Sequence, residues 1–445
     1  MMRVALGVAR PHRHHGGMVS FTTPRNRRIL LSGAAGVTQR LVQLATSLIT
    51  LPLVLHRLGD AGFGVWGAAT SLAWAGAMLD LGLGGALITL LPRAGGQRGV
   101  SRDYVTASLF VATGISLGML AIGSALALLW PHLAPSGPFL IAGLGLAVNI
   151  PLGLSGALWF GLQKGHVTGF WNTVQTGLTL LFVVAGVVAG AGVTVLTLAI
   201  YAAAALANAG SLIHLLWRVP ELRPSPWPKF GVMRTALRSG ISLSMIGAVA
   251  SGAYVLDNVL ALHWLGPHAA AQMAVALRVC ITASGMLAVA TQAFWPEFVE
   301  AVAHGDHHWV VRALGRGTLM VTVLALAGCG LLVLAGKPVL AWWLHQDLHL
   351  PHALFLAMAA WILVPALTRV AGLLLNAKAL YRGQFLAQLA ATALALALKP
   401  LGAKFLGAAG LLAATPLVSL FIICPAYAWL AWRAAAAPRF QKVRA

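Results

Sequence analysis

About twelve apolar runs of membrane-spanning length divide this chain of 445 residues, and its basic residues avoid them. Of the 30 Lys and Arg, 27 lie between or just outside the runs, clustered in every second gap. One set of gaps holds 23 of them, and the other holds only Arg57, Lys337, Lys399 and Lys404. Basic residues concentrate in cytoplasmic loops of membrane proteins, so this asymmetry predicts a multi-pass protein with both termini in the cytoplasm. Arg40, Arg278 and Arg369 are the exceptions, each inside an apolar run where an unpaired charge is costly and points to function.

The fold class follows. The chain is 59% hydrophobic and 9% charged, whereas a soluble domain has roughly 25% charged residues. Strand-type alternation is absent, which excludes a transmembrane barrel. The expectation is an all-α polytopic membrane protein of about twelve helices in two six-helix lobes. A formal net charge of +21 would suggest nucleic acid in a soluble protein. Here it is explained by basic loops facing anionic lipid head groups, so no nucleic-acid partner is expected. Cys280, Cys329 and Cys424 fall in apolar runs with no ligand spacing, and read as small apolar side chains rather than disulfide or metal ligands. The sequence shows no Walker loop, zinc motif or nucleophile elbow, and calls for no cofactor. His304, His307 and His308 with Asp306 read as a solvated loop.

The longest polar stretch between runs sets the lobe boundary. It predicts a basic tail over 1–28 (Met1 and Met18 are both candidate starts), an N-lobe over 29–217, a linker over 218–235, a C-lobe over 236–432 and a basic tail over 433–445. The lobes echo each other. Leu58-Gly59 closes the first span and Leu265-Gly266 the seventh, each preceding a helix that starts with small residues. Six helices per half gives repeats of one orientation, with a site between them.

Span one carries Gly33, Gly36, Arg40, Gln43, Ser47 and Thr50 at steps of three and four, which gathers them on one face. That face looks either into a helix seam or into a wet cavity, and the cavity reading is preferred because a dry seam would require a carboxylate for the arginine. Span two, read as one helix over 63–91, contains Asp80; span seven contains Asp257 near its outer end. Span eight carries Arg278 and span ten Arg369. Three arginines against two aspartates leave a positive interior suited to an anionic substrate, with the aspartates pairing to the arginines or coupling an ion. Asn172 and Gln175 on span five are candidate partners for sugar hydroxyls.

Leu58-Gly59-Asp60-Ala61-Gly62-Phe63-Gly64-Val65-Trp66 and Leu79-Asp80-Leu81-Gly82-Leu83-Gly84 resemble the opening of the polysaccharide-biosynthesis transporters, the O-antigen and exopolysaccharide flippases of the multidrug/oligosaccharidyl-lipid/polysaccharide (MOP) superfamily. Trp295-Pro296-Glu297 with Gly305-Asp306 adds to the resemblance. It implies a central cavity, alternating access, a bacterial inner-membrane location and no enzymatic activity. It also implies movement of an undecaprenyl-pyrophosphate-linked oligosaccharide to the outer leaflet, in a pathway shared with a glycan polymerase and glycosyltransferases. In its lipid II branch, arginines of the first and eighth helices line the cavity, and Arg40 and Arg278 lie on those helices here. That branch's second-helix arginine has no counterpart, Asp80 being the charged residue of span two. A drug antiporter of the same superfamily and a glycan polymerase or ligase are the alternatives. The first would favour an acidic cavity and the second a large outer catalytic loop, which the 336–350 gap hardly provides.

Overall fold

The computed structural model describes residues 24–73, 79–94, 97–129, 137–238, 256–291, 305–345, 349–378 and 380–436, with a few single positions between 240 and 302. All regular elements among these are helical. In order they are α1 (Pro24–Ser71), α2 (Leu83–Arg93), α3 (Arg98–Leu129), α4 (Gly137–Gly161), α5 (Gly165–Val188), α6 (Val193–Arg218), a 3₁₀ turn at Pro220–Leu222, α7 (Asp257–Leu265), α8 (Pro267–Thr291), α9 (His307–Leu344), α10 (His352–Ala377) and α11 (Tyr381–Ala436). Nine of the described helices are long and apolar enough to cross a membrane. At 1.5 Å per residue, the 56 residues of α11 would reach about 84 Å, far beyond a hydrocarbon core of about 30 Å. The helix turns back instead at Gly407 (φ 59°, ψ −138°), so that α11 supplies two arms.

The sequence echo between halves has a matching backbone. Gly59 bends α1 at φ 66°, ψ 175°, and Gly266 separates α7 from α8 at φ 87°, ψ 178°. A side chain would be strained at either φ, which explains a glycine at both places. Span two is not the single helix expected. The second arm of α1 ends at Ser71, and α2 starts anew after a turn with Leu81 and Gly82 at positive φ. Asp80 organises that turn: its carboxylate accepts from the Gly82 amide at 2.8 Å and the Gly84 amide at 3.1 Å, at the start of α2. Much of span seven, 242–248 and 250–255, lies outside the described residues.

Among the described residues, the largest core cluster joins the two halves at one end. At the end bearing Gly59 and Gly266, Leu55, Phe63 and Trp66 of α1 pack with Ala271 and Val275 of α8, Phe355 and Met358 of α10, and Leu411 of α11. At the opposite end, where the linker lies, each half has its own cluster. Leu87, Leu158, Trp159 and Leu215 belong to one, and Phe298, Val310, Val321 and Val370 to the other. Ala236 and Leu237, placed in the C-lobe by the sequence reading, pack into the first of these clusters. Lipid tails are as apolar as leucine, so close packing and polar contacts, rather than the hydrophobic effect, join the halves. Small residues permit it. A Cβ on Gly64 would sit 2.0 Å from the Pro267 carbonyl oxygen, and one on Gly67 would sit 2.7 Å from the Ala274 methyl group. Asp60 and His268 pair at 3.1 Å, and Trp343 Nε1 donates to the Leu48 carbonyl at 2.9 Å.

Candidate functional site

The polar face of α1 meets α8 across a cavity of about 90 Å³ lined by Arg40, Gln43, Ser47, Arg278, Thr282 and Gly285, among others. A helical repeat of 3.6 places 278, 282 and 285 of α8 on one face, as it does 40, 43 and 47 of α1. Arg278 donates to the Ser47 hydroxyl, which in turn donates to the Gln43 carbonyl at 2.7 Å. Ser47 therefore aims the guanidinium, although its acceptor capacity is modest beside a full positive charge. Arg278 Nε is buried and donates to no protein group. Arg40 is exposed, and its Nη1 lies 3.8 Å from where a Cβ on Gly285 would be. Arg369 of α10 approaches the same helix one residue earlier, its Nη2 lying 3.5 Å from the Ser284 carbonyl. Its Nε, too, is buried without a protein acceptor.

Arg40 and Arg369 thus both approach α8 near Ser284 and Gly285, and Arg278 projects from the same helix; Arg369 does not line the cavity with the other two, and the three lie at different depths. Counted along their helices from the Gly59 end, Arg278 lies about 18 Å in, Arg369 about 25 Å and Arg40 about 28 Å. The ion pairs found among the described residues are Arg98–Glu221, Lys229–Asp103, His268–Asp60 and Lys399–Asp257. None of them involves these arginines. A charge at the centre of a spanning helix costs roughly 3 kcal/mol on insertion scales, so three uncompensated guanidinium groups are a large expense for a structure to retain. Arg278 and Arg369 each keep a buried Nε donor without a protein acceptor, and guanidinium donors of that kind suit an anion with acceptor oxygens.

The other candidates divide. Asp257 does not pair with an arginine. It pairs with Lys399, and both side chains are fully buried. Lys399, counted with the sparse set of gaps by the sequence, lies within α11 with its side chain fully buried. Lysine reaches this carboxylate because α11 packs on α7 near the Gly407 turn, a contact between segments 142 residues apart. Asp80 caps α2 as described, so backbone amides, not arginine, compensate it. Gln175 lines a different cavity, of about 530 Å³, lying within the N-terminal half with Asp80, Asn149, Tyr201 and Asn208. There Asn208 donates to Asn149 Oδ1 at 3.0 Å, and Asn149 donates to the Tyr201 carbonyl at 3.2 Å. Asn172 lies 3.5 Å from Gln39 of α1, next to Arg40 in sequence. Neither Asn172 nor Gln175 lines the arginine cavity. Thr282 lies one turn after Arg278, as the sequence spacing indicates, whereas Ser284, whose carbonyl Arg369 approaches, has no signal in the sequence.

No protein-family model and no curated protein matches the sequence. Solved structures match it over nearly its whole length. One is an inward-facing MATE family multidrug resistance transporter of the MOP superfamily, 14% identical, with a TM-score of 0.67 over 89% of this chain and 98% of that one. A MOP superfamily transporter from Pyrococcus furiosus, whose reversed binding-pocket polarity suggests a different function, is 12% identical, with a TM-score of 0.64 over 93% and 97%. The lipid II flippase MurJ in an inward closed conformation is 13% identical, with a TM-score of 0.68 over 90% and 87%. The chain therefore has the two-lobed, all-helical membrane fold that MATE transporters of the MOP superfamily share with the lipid II flippase.

Proposed function

We propose that the chain is a flippase that carries an undecaprenyl-pyrophosphate-linked oligosaccharide from the inner to the outer leaflet by alternating access, without enzymatic chemistry. The observation behind this reading is the cavity between α1 and α8 that Arg40 and Arg278 line, with Arg369 approaching the same helix at Ser284 and no carboxylate paired to any of the three among the described residues. The task is to bring a polar anionic head group through about 30 Å of hydrocarbon. Guanidinium groups at successive depths would offer it charge-assisted, bidentate contacts along the way, while the lipid tail stays in the bilayer.

The basic asymmetry of the loops supports a cytoplasmic location for the linker end. Among the described residues the halves share a core at the far end and have separate clusters toward the linker end, which supports loading of cargo from the cytoplasmic side. Rocking of the halves about the α1–α8 contact would then expose the arginines to the other side. A cation antiporter would call for acidic groups in the cavity, whereas Asp80 and Asp257 are engaged elsewhere. The MurJ likeness supports a lipid-linked substrate, and the Pyrococcus furiosus protein is a precedent for altered pocket polarity on this fold.

The test is reconstitution. Proteoliposomes would carry a fluorescent polyprenyl-pyrophosphate glycan, with a membrane-impermeant quencher reporting the outer-leaflet fraction. The protein should accelerate exchange well above empty liposomes, and at limiting glycan Arg278→Gln should reduce the acceleration at least tenfold while inserting normally. Equal exchange with and without the wild-type protein would sink the proposal.

A further inference from the structure

The cavity of about 530 Å³ within the N-terminal half differs in chemistry from the arginine cavity. The arginine cavity, at about 90 Å³, falls far below the roughly 300–1,000 Å³ of a small-molecule site, which leaves a sugar ring to be seated elsewhere. The N-half cavity lies within that range. Asp80, Asn149, Gln175 and Asn208 are polar groups of its wall, and among the described residues no Lys or Arg lines it. Counted along α5, α4 and α6 from the linker end, Gln175, Asn149 and Asn208 lie about 15, 18 and 15 Å deep, so three helices bring amides to nearly one level.

Hydrogen bonds leave part of this wall unspent. Asn208 donates to Asn149 Oδ1 at 3.0 Å, and Asn149 donates to the Gly145 carbonyl at 2.9 Å and the Tyr201 carbonyl at 3.2 Å. Among the described residues, Asn208 Oδ1 and the Gln175 side-chain amide have no protein partner. Phe160, half exposed, adds a flat apolar face, and a Cβ on Gly153 would meet no atom within 4 Å. Sugar hydroxyls both donate and accept, as amides do, and the C–H face of a sugar ring is apolar. The two cavities connect through α5. Asn172, one turn before Gln175, donates to Gln39 Oε1 at 3.5 Å, and Gln39 adjoins Arg40.

We infer that the N-half cavity seats the first sugars of the glycan whose pyrophosphate the arginines hold, and that Asp80 makes it select uncharged sugars over acidic ones. A hydroxyl or an acetamido N–H can donate to the amides and to the carboxylate alike. A uronic acid would set its own carboxylate against Asp80, with no base on the described wall to offset it. The assignment rests on the transport reading, because it takes the pyrophosphate to lie at the arginines.

Binding of three polyprenyl-pyrophosphate lipids to the full chain in detergent, titrated by native mass spectrometry, tests it. One lipid carries no sugar, one a neutral disaccharide, and one the same disaccharide with a uronic acid next to the pyrophosphate. A neutral hydrogen bond is worth about fivefold in affinity, so the wild type should bind the neutral lipid roughly tenfold or more tightly than the bare one. The acidic lipid should bind at least tenfold more weakly than the neutral one, and Asp80→Asn should remove most of that difference. Gly153→Leu extends into open space, and should lower the neutral lipid to the affinity of the bare one. Binding of the bare lipid by each variant would show that it remains folded. Equal binding of bare and neutral lipids by the wild type, or wild-type affinity for the neutral lipid in Gly153→Leu, overturns the glycan seat. Equal binding of acidic and neutral lipids, or a difference that persists in Asp80→Asn, overturns the selection by Asp80. In all of these results the bare lipid still binds and the transport reading stands. Failure of all three lipids to bind the wild type sinks that reading, and this assignment with it.

Discussion

Lys399 and Asp257 place two opposite charges where neither reaches water, and each is tolerable only because of the other. Removing one partner of a buried pair costs about 3–5 kcal/mol, whereas replacing both with apolar groups is often neutral. Lys399→Met should therefore lower the thermal unfolding midpoint in detergent sharply, and Lys399→Met combined with Asp257→Leu should recover most of it. A single variant that melts with the wild type would show that Asp257 has another partner. Arg278 behaves differently, because its donors are not spent on a carboxylate. If the proposed role is right, Arg278→Gln should raise the concentration of pyrophosphate-lipid needed for half-maximal exchange by roughly ten- to hundredfold, the worth of a hydrogen bond to a charged group. Arg278→Lys should fall between, keeping the charge but losing the planar fork. The arginines were legible as sequence because charge inside an apolar run stands out. Lys399 was not, since it follows a run of Ala and Leu and precedes Pro400 and Gly402, which read as the end of a span.

At the scale of elements, the contact between the second arm of α1 and the start of α8 is the seal at the Gly59 end. Gly64 permits it against rigid backbone, where no side chain can rotate away. Gly64→Ala should therefore part the halves at this end. The readout is labelling of Ala274→Cys by an impermeant maleimide added from that side, which should rise in the Gly64→Ala background. Gly67→Ala, which meets only the Ala274 methyl group, should have a smaller effect, read by the same maleimide at Ala271→Cys. Labelling at the background level in Gly64→Ala would mean that the seal lies elsewhere. The Leu-Gly echo foretold the paired turns at Gly59 and Gly266, because a helix reversal has a local backbone requirement. The break at Asp80 was hidden inside a run of Leu and Gly whose hydropathy reads as continuous. Composition reports depth in the membrane and is blind to an Asp that turns back to cap its own following amides.

Over the whole molecule, the asymmetry of 23 basic residues against 4 predicts the orientation. Lys399 is buried against Asp257, and setting it aside leaves three on the sparse side. A fluorescent protein fused after Ala445 should fluoresce, and alkaline phosphatase inserted at Gly190–Gly192 should be active, as cytoplasmic and outer locations require. The reverse pattern would invert the direction of loading in the proposed cycle. The sequence by itself determined the class of molecule, helical, membrane-spanning and doubled, and it predicts an orientation. Each of those properties follows from local hydropathy, local backbone chemistry or the sum of loop charges, none of which needs a partner distant in the chain. Only the tertiary structure decided which polar groups meet. It brought Arg40 and Arg369 to the helix that carries Arg278, sent Gln175 and Asp80 to another cavity, and gave Asp257 a lysine 142 residues away. Periodicity shows the face on which a side chain lies, but not which helix that face packs against. Pairing is set by how helices cross, and that is a property of the assembled bundle.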